Sequence, residues 1–348
     1  MAARASRDFT IPDSACGIPS SAQAYSLNFT VVPQGRLEYI TVFPAGQTRP
    51  LASLLNSYDG RTKADAAIVP AGENGAISVF ATDPTHLVID INGYFVPDSD
   101  QTALAFYPIS PCRLVDTREA AGALGAPILG AGEERRFPVL SGACGVPADA
   151  RAYSLNYTVV PSGPLDYLTT WPSGRSRPLV STLNSTTGTI TANSAIVPAG
   201  EGGDLSVFVT GEAQFILDIN GYFAPPASNG LSLYTLAPCR VYDSRTSGTG
   251  SPLVNTAAIQ AANTACGSLL FVAKSLVLNS TVVPTDSLLY LSLWEGGAFA
   301  RPDASVLNAP DGSVTSNMAL VPTTNGSISA FASQSTQLIL DVSGYFAP

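Results

Sequence analysis

Ile-Leu-Asp-Ile-Asn-Gly-Tyr-Phe-Ala-Pro, residues 216–225, decides the fold, because the chain writes it three times. Residues 88–97 read Val-Ile-Asp-Ile-Asn-Gly-Tyr-Phe-Val-Pro, and residues 339–348 read Ile-Leu-Asp-Val-Ser-Gly-Tyr-Phe-Ala-Pro. Each copy joins a β-branched run to a Gly, two aromatics and a Pro, the chemistry of a strand that closes a unit. A recurrence of this kind fixes the architecture before any local assignment.

A second landmark lies upstream: Tyr25-Ser-Leu-Asn-Phe-Thr-Val-Val-Pro33, Tyr153-Ser-Leu-Asn-Tyr-Thr-Val-Val-Pro161 and Leu276-Val-Leu-Asn-Ser-Thr-Val-Val-Pro284. Asn28, Asn156 and Asn279 each precede the Asp of their closing strand (Asp90, Asp218, Asp341) by 62 residues. Between the landmarks recur an aromatic pair (Tyr39/Phe43, Tyr167/Trp171, Tyr290/Trp294), an Arg-Pro turn at Arg49, Arg177 and Arg301, and a Val-Pro turn. Each body reads as about six short strands. The expected fold is all-β: three tandem homologous antiparallel β-sandwich domains, Ig-like or jelly-roll-like, over residues 1–97, 104–225 and 231–348.

Copies two and three carry an additional head: Tyr107-Pro-Ile-Ser-Pro-Cys-Arg-Leu-Val-Asp-Thr-Arg118 and Tyr234-Thr-Leu-Ala-Pro-Cys-Arg-Val-Tyr-Asp-Ser-Arg245. Segments 98–102 and 226–230 look like linkers before these heads. The first copy has no head, and its domain is expected to be incomplete. Five cysteines follow this layout. The simplest pairing is Cys112–Cys144 and Cys239–Cys266, each bridge contributing roughly 3–4 kcal/mol on a loop-entropy model. The rival pairing, Cys16–Cys112 and Cys144–Cys239, would leave Cys266 over. Under the first scheme Cys16 marks missing upstream sequence, a second chain or a free thiol. Bridges of this kind imply an oxidising compartment.

Of the 348 residues 12% are charged and 45% hydrophobic, with 30 Gly and 27 Pro, a mixture suited to short strands and tight turns. A net charge of −9, with Lys63 and Lys274 the only lysines, argues against nucleic acid and against an anionic membrane surface. No apolar run reaches the roughly 18–20 residues of a transmembrane helix. The first residues lack the apolar stretch of a signal peptide.

Catalytic chemistry finds little footing. His86 is the single histidine and aligns with Gln214 and Gln337, an exposed polar strand position. Nucleophile-elbow, zincin and Walker motifs are missing, and no cofactor or metal is expected. Asp90, Asp218 and Asp341 sit within apolar strands, where a carboxylate needs a cationic partner. Candidates are the head arginines Arg113/Arg118 and Arg240/Arg245, with Arg113 and Arg240 carried forward, or the body arginines Arg49, Arg177 and Arg301. The three Asn-x-Thr triplets match a glycosylation sequon but read better as cross-strand hydrogen bonding. Tyr167, Trp171, Tyr290 and Trp294 form the best candidate ligand face, although core packing is the usual fate of such rings.

Taken together, the Pro-Cys-Arg-x-x-Asp-[Thr/Ser]-Arg, Leu-Asn-x-Thr-Val-Val-Pro and Gly-Tyr-Phe motifs resemble a repeat of secreted bacterial surface proteins. The resemblance implies an extracellular β-rich module and brings no known activity. The sequence is therefore read as a secreted or cell-surface, non-enzymatic structural or adhesive protein, a subunit of a fibre, stalk or sheath. Its partners would be copies of itself or other surface proteins. A carbohydrate-binding module, with glycans as partners, is the alternative.

Overall fold

In the computed structural model, which describes every residue except 248, 249, 264, 265, 267 and 299, 56% of residues lie in strands and 5% in short helical turns. The chain is all-β. Strands β1 (Ala5–Thr10), β2 (Ala24–Pro33), β3 (Leu37–Pro44), β4 (Leu55–Ser57), β5 (Lys63–Pro70), β6 (Ala76–Ala81) and β7 (Thr85–Phe95) build the first unit. Its two sheets run β1-β6-β3-β4 and β5-β2-β7.

The second unit repeats the plan and adds the head as a strand. It comprises β8 (Ala105–Asp116), β9 (Glu134–Phe137), β10 (Ala152–Pro161), β11 (Leu165–Pro172), β12 (Leu183–Ser185), β13 (Thr191–Pro198), β14 (Leu205–Val209) and β15 (Ala213–Ala224). Its sheets run β12-β11-β14-β9 and β13-β10-β15-β8. The third unit comprises β16 (Ser232–Asp243), β17 (Leu253–Gln260), β18 (Ser275–Pro284), β19 (Leu288–Glu295), β20 (Leu307–Ala309), β21 (Thr315–Pro322) and β22 (Ser327–Ala347). Here one 21-residue strand crosses both sheets, pairing β17 and β19 along its first half and β16 and β18 along its second. The first body thus has seven strands where the sequence suggests six. The extra one is β1, whose Ala-Ser-Arg-Asp-Phe-Thr is too polar to read as a strand.

Alternation explains the sheets. In β10, Tyr153, Leu155, Tyr157 and Val159 are fully buried in the core of their own unit. The opposite face, Ser154, Asn156 and Thr158, is buried too, at 3%, 5% and 2% exposure. A polar face hidden from water needs partners, and the third unit supplies them to Asn156 through Ser305 and Asn317. The units are therefore not separated beads. A shared apolar cluster joins them, with Ile68, Ile196 and Leu320 at one repeated position and Phe223 and Phe346 at another. The Phe223 and Phe346 rings lie 6.2 Å apart, and Phe95 of the first unit is 6.0 Å and 6.2 Å from them.

Candidate functional site

The head strands show what the repeated motif does. In the second unit β8 adds to the edge of β15, with Arg113 opposite Asp218 and Tyr107 opposite Tyr222. Arg113 donates from Nε to Asp218 Oδ1 at 2.5 Å, and Cys112 bridges Cys144. Tyr107 stacks on Tyr222 at 5.2 Å, and the Thr117 hydroxyl donates to Gln214 Oε1 at 2.6 Å. The third unit repeats each contact. Arg240 grips Asp341 with two bonds of 2.9 and 3.0 Å, Cys239 bridges Cys266, Tyr234 stacks on Tyr345 at 5.3 Å, and Ser244 bonds Gln337. Arg118 and Arg245 are local clamps on Asp116 and Asp243. Burial pushes the Asp218 carboxyl up to about 6, against the pull of Arg113; Asp341 is raised for the same reason, against Arg240.

Of the two cysteine pairings, the structure takes the first, and Cys16 is exposed and unbridged. The body arginines are not the carboxylate partners. Arg49, Arg177 and Arg301 instead lie 3.8, 3.7 and 3.9 Å above the rings of Phe80, Phe208 and Phe331, where cation–π attraction holds them.

The first unit has the same edge without a head. Strand β7 pairs with β2 alone among the described strands. Asp90 Oδ2 is buried with no hydrogen-bond partner among the described residues. Burial raises the pKa of this carboxyl, and the backbone amide of Ser181 is what opposes it. Val88 is 46% exposed, whereas Ile216 and Ile339 at the same position are 5% and 6% exposed. His86 is exposed at this edge, as its alignment with glutamines suggests.

The sequon asparagines build the unit interfaces rather than cross-strand bonds within a sheet, which corrects the reading from sequence. Asn28 Nδ2 donates to Ser181 O, Asn156 Nδ2 to Ser305 O, and Asn279 Nδ2 to Ser53 O, at 2.8, 2.7 and 2.7 Å. These bonds run from first unit to second, second to third and third to first, so they close a ring. The sequon hydroxyls of Thr30, Thr158 and Thr281 are buried without partners among the described residues. Buried amides of this kind are no acceptors for a glycan.

A second ring lies beside the first. Asn193 Oδ1 accepts from Ala66 N, Asn317 Oδ1 from Ser194 N, and Asp65 Oδ1 from Met318 N, at 3.1, 3.0 and 3.1 Å. Arg61 ties all three units through Asp59, Thr189 and Asp311 at 2.5, 3.0 and 2.5 Å. Burial works to raise the pKa of Asp59, but Arg61 and Lys63 outweigh it and hold that carboxyl low.

The proposed ligand face does not form. Trp171 and Trp294 are 3% and 5% exposed, and Trp171 Nε1 donates inward to Arg175 O at 3.0 Å. Tyr167 and Tyr290 pack against Phe208 and Phe331 at 5.9 and 5.6 Å. No helix among the described residues is long and apolar enough to cross a membrane. No protein-family model matches the sequence, and no curated protein matches it.

Proposed function

We propose that this is a secreted, non-enzymatic structural or adhesive protein of a bacterial surface, a subunit of an extracellular fibre, stalk or sheath. The observation that carries the reading is where the repeated polar chemistry goes. Asp218, Asp341, Arg113, Arg240 and the three sequon asparagines are all taken up in joining heads to bodies and units to one another. Of the three repeated carboxylates, only Asp90 has no arginine partner among the described residues, and it lies on the free edge of β7, a feature suited to pairing with another polypeptide. Two disulfides favour an oxidising, extracellular setting. The resemblance of the motifs to a secreted bacterial repeat supports the same extracellular setting.

Electron microscopy of the oxidised protein at high concentration tests the proposal. Ordered assemblies are expected, and isolated monomers under every condition would sink the assembly part. The carbohydrate-binding alternative loses its aromatic-face version, because both tryptophans are buried. Glycan-array binding that vanishes in a folded Trp171→Ala variant would reinstate it.

A further inference from the structure

We infer that the free edge of β7 is a docking site for a third head-type strand, one carrying Tyr-x₄-Cys-Arg-x-x-Asp-[Thr/Ser] and coming from outside these 348 residues. The two heads within the chain define the contacts, and the first unit presents the other half of each. The head Tyr stacks on Tyr222 or Tyr345; the counterpart Tyr94 is 45% exposed. The head Arg grips Asp218 or Asp341; in Asp90 the Oδ2 atom is buried and unpartnered among the described residues. The head hydroxyl bonds Gln214 or Gln337, and His86 stands at that position with a ring nitrogen able to accept. The head Cys bridges Cys144 or Cys266, and Cys16 is an exposed thiol.

The start of the strand has a place as well. A cleft of about 870 Å³ opens beside Phe95 and is lined by Tyr94, Leu104 and Leu233. In the second and third units, Phe106 at the start of one head exchanges two backbone bonds of 2.9 Å with Leu231 before the next. Leu104, which aligns with Leu231, is 41% exposed and faces the cleft.

A second copy of this chain has no free head to give to this edge, so assembly of copies would run through other surfaces. Both of its heads are already held by a disulfide, an ion pair and a β-ladder to their own units. The fit is instead by β-addition with charge complementarity, main-chain bonds giving affinity and side chains giving specificity. Covalent closure is a two-electron oxidation. The Cys16 thiol and the head thiol lose two protons and two electrons, and a low-molecular-weight disulfide such as oxidised glutathione takes up both and leaves as two thiols.

The experiment uses a synthetic peptide with the sequence of residues 105–118, a scrambled peptide of the same composition, and the whole protein in oxidised glutathione. Intact-mass analysis under non-reducing conditions follows the adduct. The ordered peptide should join Cys16 roughly tenfold faster than the scrambled one, because docking holds the thiols together. Asp90→Asn should slow the ordered peptide several-fold and leave the scrambled one unchanged. In parallel, a Cys→Ser version of the peptide should slow hydrogen exchange along β7 in the Cys16→Ser protein, without any covalent bond. Equal rates for the two peptides, or unaltered exchange along β7, would overturn the proposal. So would a Cys16–Cys16 dimer that forms in preference to the peptide adduct.

Discussion

Asp65 occupies the place that Asn193 and Asn317 hold in the other two units. Each asparagine amide donates to a sequon oxygen, Asn28 Oδ1 or Asn156 Oδ1, and to a carbonyl of its own unit. Asp65 has a second oxygen where they have an NH₂. Asp65 Oδ2 and Asn279 Oδ1 are accordingly both buried without partners among the described residues. Complete burial holds this carboxyl well above the usual range, with the amides of Met318 and Ala66 and the Ser316 hydroxyl opposing. A folded-state pKa above the unfolded one means a stability contribution present below about pH 4 and lost as pH rises through the folded value. Asp65→Asn should therefore stabilise the protein at pH 7 by roughly 1–3 kcal/mol, the range for satisfying an orphaned buried group. The gain should shrink towards pH 4, and urea unfolding at the two pH values checks both. Breaking the Arg113–Asp218 pair is the converse case. With Arg113 about a quarter exposed, Asp218→Ala should cost about 2–3 kcal/mol, less than a fully buried pair. The sequence pointed to this carboxylate because an acid inside an apolar strand is conspicuous. Nothing flagged Asp65, since a residue beside Lys63 and Arg61 looks like surface.

At the scale of the element, the head strand is the clearest case of legible sequence. Linker placement put each head with the body that follows it, and the bridges and the β8–β15 ladder agree. Strand order was not legible, because period-two alternation says which face is buried but not which neighbour lies alongside. Trp171 and Trp294 illustrate the same limit. Rings spaced i, i+4 share a face of a strand, but only the second sheet decides that the face is interior. Reduction of Cys112–Cys144 should destabilise the second unit by roughly 3–4 kcal/mol, for a loop of 32 residues. The ion pair and ladder should still keep β8 on its edge. Hydrogen exchange under reducing conditions is the measurement: retained protection of β8 supports this, and its loss would mean that the bridge alone holds the head.

For the whole molecule, what the sequence hid was closure. Repetition announced three units but gave no reason for the first to touch the third. The buried polar faces of β2, β10 and β18 were the only trace, and they looked like ordinary sheet chemistry. With three interfaces and a shared apolar cluster, heating should give one calorimetric transition whose van't Hoff and calorimetric enthalpies agree; three resolved transitions would contradict this. Asn156→Ala strands the amide of Asn317 and the carbonyl of Ser305, so it should lower stability by about 1–3 kcal/mol. Closure also changes how the protein answers a pull. In a string of separate modules, tension applied at the two ends reaches every unit at once. Here the third unit grips the first through Asn279, Arg61 and Met318, and that clasp must part before the chain between the ends can lengthen. The molecule would thus meet tension first as a fastener, with a small early opening that re-closes when the load is removed, and only afterwards as a chain of unfolding units.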